Sequence, residues 1–163
     1  MKPNIGKNFL YFCHRKTQDM QYHFDHSLGR ITQQISRALG KRFEQKSSDH
    51  GIRIRPEQWS VISLLFHKGP MPQNGIGELL FMDKVSVSRT VERLEKRKLV
   101  VQDVPGNDKR MRIVELTPSG TEMYRQLCPL AEKTISEALQ NMKENEKRQL
   151  FDSLEKIKAN LGC

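Results

Sequence analysis

The chain is poor in several things that would settle its chemistry at once. No apolar run approaches the roughly 20 residues that a membrane-crossing helix needs. The opening MKPNIGKNFLYFCHRK carries too short and interrupted an apolar stretch for a secretory leader, so a cytoplasmic protein with no membrane partner is expected. Cysteine is scarce: Cys13, Cys128 and Cys163 are odd in number, widely spaced and free of any CxxC pair, which argues against a disulfide framework or a zinc motif. His23 and His26 are spaced to share a helical face, with Cys13 a conceivable third ligand, but no carboxylate or Cys pair completes a metal set. The catalytic fingerprints GxSxG, HExxH, the P-loop and the dinucleotide glycine motif are absent, so no enzyme, metal or cofactor is expected. There is no internal repeat or low-complexity tract, and 163 residues at 36% hydrophobic suit a single domain, 1–163, with no second core.

Acid is the remaining shortage. Lys and Arg number 28 against 19 Asp and Glu, a net charge of +9 that is unevenly spread. Residues 1–55 hold eleven cations against four acids, and residues 84–112 hold nine against four. The stretches 56–83 and 113–163 are slightly acidic, at net −2 and −1. Two basic regions therefore offer places where a polyanion can be met, although a basic balance by itself also serves solubility.

The apolar pattern is mainly helical. Phe24, Leu28, Ile31, Ile35, Leu39 and Phe43 recur at steps of three and four, predicting an amphipathic helix over about 20–48 that ends in the turn-forming SSDHG. Pro56 suits the first position of a second helix, whose Trp59, Val61, Ile62, Leu64, Leu65 and Phe66 are apolar on nearly every side and so belong in the core. KGPMPQNG stops it. A short helix over Ile76–Leu80 and a break at FMD follow, and Asp83 then caps a helix from about Lys84 to Lys98 with Val87, Val91 and Leu94 inward. This pair reads as a helix-turn-helix, about 76–98. The β-branched Val100, Val101 and Val104, the turn PGND and the run MRIVEL predict a hairpin over 99–117, a wing beside the second helix. From Pro118 the chain is helical again, with Met123, Leu127, Leu130, Ile135, Leu139 and Met142 on one face, then Leu150, Leu154, Ile157 and Leu161 on a last helix. The stripes of the helices over 20–48 and 118–163 exceed what the winged region 52–117 can cover, and a second copy of the chain would cover them.

The fold expected is mainly α with a small β-wing: a winged helix-turn-helix domain with a helical dimerisation region. A helix fits the major groove, where Arg makes two bonds to guanine and Ser bonds several base edges. Lys84, Ser86, Ser88, Arg89 and Arg93 stand away from the inward stripe, with Ser86, Ser88 and Arg89 on the first two turns. An ordinary solvated face, supported by a Glu92–Lys96 pair, is the competing reading, and Lys96, Arg97 and Lys98 fit that role better than base contact. In GNDKRMR, Arg110 on a thin hairpin can enter a narrow minor groove, with Asp108 orienting its guanidinium. Lys109 and Arg112 lie nearer the phosphates.

The order of these parts, with Asp108-x-Arg110 followed by Leu116, Thr117 and Gly120, the helix opening PEQW at 56–59 and DKVSVSRTVERLEKR, resembles the MarR family of winged-helix regulators from about Ser27 onward. The resemblance implies an obligate homodimer built from the first and last helices, binding a pseudo-palindromic operator in double-stranded DNA. It implies Ser86, Ser88, Arg89 and Arg93 in or near the major groove and Arg110 in the minor groove. Many relatives are repressors released by small aromatic or phenolic effectors, and Trp59 and Arg30 are candidates to line such a crevice. Two alternatives stay open: a redox-responsive regulator working through Cys13, whose basic neighbours His14, Arg15 and Lys16 would lower its pKa, and a winged-helix module that binds an acidic protein. Three departures bear on local structure. Lys98 and Gln102 stand where the family usually has Gly and Arg, and Arg55 stands where Thr or Ser commonly caps the PxQW helix. Cys128, beside Pro129, is expected to be buried and inert.

Overall fold

A computed structural model describes Phe24, residues 27–103 and residues 112–162. The chain divides into two units, residues 1–35 and 36–163. In the first, Arg30 lies with its guanidinium 4.2 Å from the centre of the Phe24 ring, and the described part of α1 (Leu28–Asp49) leaves Leu28, Ile31 and Ile35 exposed. The helix therefore begins at Leu28 among the described residues. It also runs past the predicted stop, because the Ser47 hydroxyl turns inward and donates to the Phe43 carbonyl at 2.9 Å, so serine there supports the helix. Only His50 and Gly51 turn, with Gly51 at φ +76°.

The second unit packs α2 (Pro56–Lys68), α3 (Gln73–Leu80), α4 (Lys84–Lys96) and α5 (Pro118–Ala138) around a small sheet. Its core joins Phe43 and Ile54 to Val61, Ile62 and Leu65 of α2, Ile76 of α3, Val87, Val91 and Leu94 of α4, and Tyr124, Leu127 and Leu130 of α5. The central placement expected for α2 holds at Val61, Ile62 and Leu65, while Trp59 and Leu64 are half-buried and Phe66, on the helix's outer side, is exposed. Arg55 supplies no side-chain cap there. Instead Pro56 starts the helix, and the Gln58 side chain accepts the Arg55 backbone N–H at 3.1 Å.

The sheet has three strands in the order β1–β3–β2, where a two-stranded hairpin was expected. The added strand is β1 (Met71–Pro72), inside the run read as a helix stop; it pairs antiparallel with β3 (Ile113–Leu116), Met71 opposite Val114. Proline is tolerated there because β1 is an edge. α3 then starts at Gln73, three residues before the predicted start. β2 (Val100–Asp103) pairs with β3, Val100 opposite Leu116 and Asp103 opposite Ile113.

On α5 the buried stripe runs through Gly120, Tyr124, Leu127, Leu130 and Thr134, whereas Ile135, read on the same apolar face as Leu127 and Leu130, is exposed. The helix stops at Ala138, before the predicted Leu139 and Met142, and Asn141 takes a left-handed conformation at φ +68°. α6 (Glu144–Leu161) buries no residue. Leu150, Phe151 and Leu161 are exposed on it.

Candidate nucleic-acid interface

α3 and α4 meet across the short turn Phe81–Asp83. Gly77 makes the close approach possible, since a Cβ there would lie 3.0 Å from the Met82 carbonyl and 3.3 Å from Val87. The turn closes with the Met82 N–H on the Gly77 carbonyl at 2.9 Å, and Phe81 adopts φ +52° with its ring exposed. Asp83 caps α4 as expected, accepting the backbone N–H groups of Val85 and Ser86, each at 2.9 Å. Its second oxygen accepts the Ser86 hydroxyl at 2.7 Å. These bonds, the Ser86 hydroxyl first, hold the Asp83 carboxyl below its ordinary pKa.

Because Val87, Thr90, Val91 and Leu94 face the core, the opposite side of α4 is presented to solvent. Lys84, Arg89 and Arg93 are exposed on the helix, and Ser86 and Ser88 are half-buried. The Ser88 hydroxyl donates to the Glu92 carboxylate at 2.9 Å, so Glu92 engages this serine, where the competing solvated-face reading paired it with Lys96. Both serine protons are thus held by carboxylates, and their free lone pairs accept.

The root of the wing is tied into this unit at three points. The Gln73 N–H donates to the Arg112 carbonyl at 3.0 Å, linking the start of α3 to the strand leading into β3. Gln102 donates from Nε2 to Glu95 of α4 at 2.8 Å, so the residue standing in place of the family's arginine fastens the wing instead of adding charge. Thr117 caps α5, accepting the Gly120 N–H at 3.0 Å, and its hydroxyl donates to the Lys98 carbonyl at 2.7 Å. Lys98 itself is left-handed at φ +58°, the conformation for which glycine is suited. Arg112 is exposed at the root, immediately before β3. Asp108, Lys109 and Arg110, together with Val104 and the PGND turn, lie outside the described residues, as do Cys13, His23 and His26.

One residue on the presented face escapes a reading guided by polarity: Val85 is 56% exposed on the first turn, while Glu92, read only as a helix-supporting partner, is exposed one turn beyond Ser88. Helical register identifies both, since they stand three or four positions from Ser88 and Arg89.

A separate open cavity of about 370 Å³ is lined by Trp59, Ser60, Ser63, His67 and Lys68 of α2, among others. Trp59 stacks on Tyr124 at 5.4 Å, and Tyr124 stacks on Phe66 at 3.7 Å. The Tyr124 hydroxyl lies 3.0 Å from His67 Nε2. Cys128 is only half-buried and its thiol donates to that hydroxyl at 3.5 Å, so the expected burial is incomplete. The adjacent thiol, and then burial, raise the Tyr124 pKa above its ordinary value. Among the described residues no group of three or more His, Cys, Asp or Glu is placed to hold a metal ion, and no helix is long and apolar enough to cross a membrane.

Known proteins share this arrangement. The MarR family model matches residues 51–111, a stretch that contains α2, α3 and α4. A Bacillus subtilis (strain 168) protein described as the uncharacterized HTH-type transcriptional regulator YwoH is 30% identical over 128 residues, covering 78% of this chain and 90% of the relative. A putative MarR family regulator from Listeria monocytogenes, solved with a 26mer DNA, has the same fold at a TM-score of 0.71 and 22% identity, over 83% of this chain and 89% of that one. Bordetella bronchiseptica BpsR, whose DNA binding is regulated by 6-hydroxynicotinic acid, aligns at a TM-score of 0.75 and 22% identity, over 85% and 98% of the two chains. With the helix-turn-helix, the three-stranded wing and these relatives together, the chain belongs to the MarR family of winged-helix, DNA-binding transcriptional regulators, a class that is not enzymatic.

Proposed function

We propose that the protein is a cytoplasmic homodimeric repressor that binds a pseudo-palindromic operator, with α4 in the major groove and the wing in the adjacent minor groove. The observation that carries this reading is the presented face of α4: Lys84, Arg89 and Arg93 are exposed around Ser88, opposite a fully buried stripe. Arg89 and the serines contact base edges, while Lys84, Arg93, Lys109 and Arg112 meet phosphates and Arg110, oriented by Asp108, enters the minor groove. Exposed apolar side chains on α1 (Leu28, Ile31, Ile35) and on α6 (Leu150, Phe151, Leu161) support dimerisation, because a monomer gains nothing by leaving them in water. Two copies place their recognition helices on one face of the duplex about one helical turn, roughly 34 Å, apart.

Release follows when a small molecule binds the non-binding spacing of those helices more tightly than the binding one. The cavity beside Trp59 supports an aromatic effector: Trp59, Leu64 and Leu80 line it with apolar surface, and Lys68 offers a cation to an anionic group. BpsR, the relative regulated by 6-hydroxynicotinic acid, points the same way.

The test is selection of bound duplexes from a random pool, followed by titration of the winner at 50 and 200 mM salt. Neutralising roughly six to ten phosphates lowers affinity by about three to five decades over that range. Arg89→Ala and Arg110→Ala each weaken operator binding by about 1–3 kcal/mol while leaving dimerisation unchanged. A salt-independent affinity, or no preference among duplexes, overturns the reading.

A further inference from the structure

Val85 is a folding oddity. It occupies the second position of α4, where it caps nothing, and it is 56% exposed, whereas Val87 and Val91 on the same helix are fully buried. A β-branched residue has no advantage at an exposed helical position, since its side chain loses freedom there without packing in return. A contact outside the folded chain would repay that loss.

The geometry points to a thymine methyl: resting on the operator-binding reading above, we infer that Val85 contacts the C5-methyl of one thymine in each half-site, next to the base read by Arg89. Ser88 and Arg89 lie three and four residues beyond Val85, and Glu92 lies four and three beyond them, so the four form one outward stripe. The thymine methyl is the one apolar group displayed on the floor of the major groove, and apolar side chains are its partners. The neighbouring polar groups are compatible with that base. The Ser86 and Ser88 hydroxyls donate hydrogen bonds to Asp83 and Glu92, so they offer lone pairs, which suit the N6 amino group of the adenine paired with thymine. One helical turn, about 5.4 Å, separates Val85 from Arg89. Against a rise of about 3.4 Å per base, that places the thymine one or two steps from the base contacted by Arg89.

The experiment uses the full chain and the duplex selected from the random pool, with each half-site thymine replaced in turn by deoxyuridine, which removes only the methyl. One replacement position is expected to weaken binding about fourfold in a single half-site and about fifteenfold in both, the factor for losing one buried methyl per subunit. Val85→Ala is expected to bind the thymine duplex with a similar loss and to be indifferent to uracil at that position alone. Its circular dichroism should match the parent, because the side chain is largely exposed and lies outside the buried core. If no uracil position weakens binding, or if Val85→Ala keeps full sensitivity to all of them, the inference is overturned. Should that happen while Arg89→Ala still weakens binding, the regulator reading stands without Val85; should no duplex be bound at all, both fall.

Discussion

Gly120→Ala tests how the wing is anchored. Gly120 sits buried in the first turn of α5, and a Cβ built on it would lie 2.0 Å from the Leu99 carbonyl oxygen and 3.0 Å from Leu116 Cδ2. Ordinary C···O contacts begin near 3.3 Å, so backbone must retreat by roughly 1.3 Å. The displaced carbonyl also accepts the Thr117 N–H at 3.1 Å, and the Thr117 hydroxyl holds the Lys98 carbonyl at 2.7 Å. Losing two hydrogen bonds at about 1 kcal/mol each and overpacking a tight site at about 2 kcal/mol gives about 4 kcal/mol. The better helix propensity of alanine returns somewhat under 1 kcal/mol. The net loss of about 3 kcal/mol lowers Tm by about 6–12 °C in a chain of this size. Differential scanning calorimetry at one protein concentration measures it, with Gly75→Ala as control. Gly75 lies inside α3 with nothing within 4 Å of its would-be Cβ, so alanine there stabilises slightly, by about 0.5–1 kcal/mol. A Gly120→Ala Tm within 2 °C of the parent would refute the reasoning.

Two other perturbations follow from the same geometry. Lys98→Gly relieves a left-handed residue that L side chains resist, and a gain of about 1 kcal/mol in urea denaturation is expected; a lower midpoint would count against it. Asp83 has its pKa lowered by folding from an ordinary value of 3.8, so its stabilising effect is complete above about pH 4 and is lost as pH falls through the lowered folded value. The stability difference between the parent and Asp83→Asn should accordingly shrink below pH 4, and a difference constant from pH 7 to pH 3 would show that the cap does not depend on the charge.

Much of this architecture is legible from residue pattern, and the failures have definite causes. Asp83 and the Val87, Val91, Leu94 stripe are readable because a cap and a helical period each leave a local signature. β1 leaves none: two residues, one of them proline, become a strand only because β3 comes back across some forty positions of sequence. The apolar face read for α5 is buried at Leu127 and Leu130, and beside them tertiary contact buries Tyr124 and Thr134, amphipathic residues that an apolar pattern does not pick out. Lys98 carries a warning that sequence could raise, the family's missing glycine, and the chain bears the left-handed conformation anyway. At the interface, charge identified Lys84, Arg89 and Arg93, but Val85 is invisible to charge and emerges only from its exposure.

The bond from the Gln73 amide to the Arg112 carbonyl, with β1 zipped to β3 beside it, makes the hairpin's base continuous with the front of the helix-turn-helix. A lever pushed at the end of α2 therefore moves both gripping parts at once. In the regulator proposed above, wing and recognition helix would thus leave the duplex together, as thumb and fingers leave a rail.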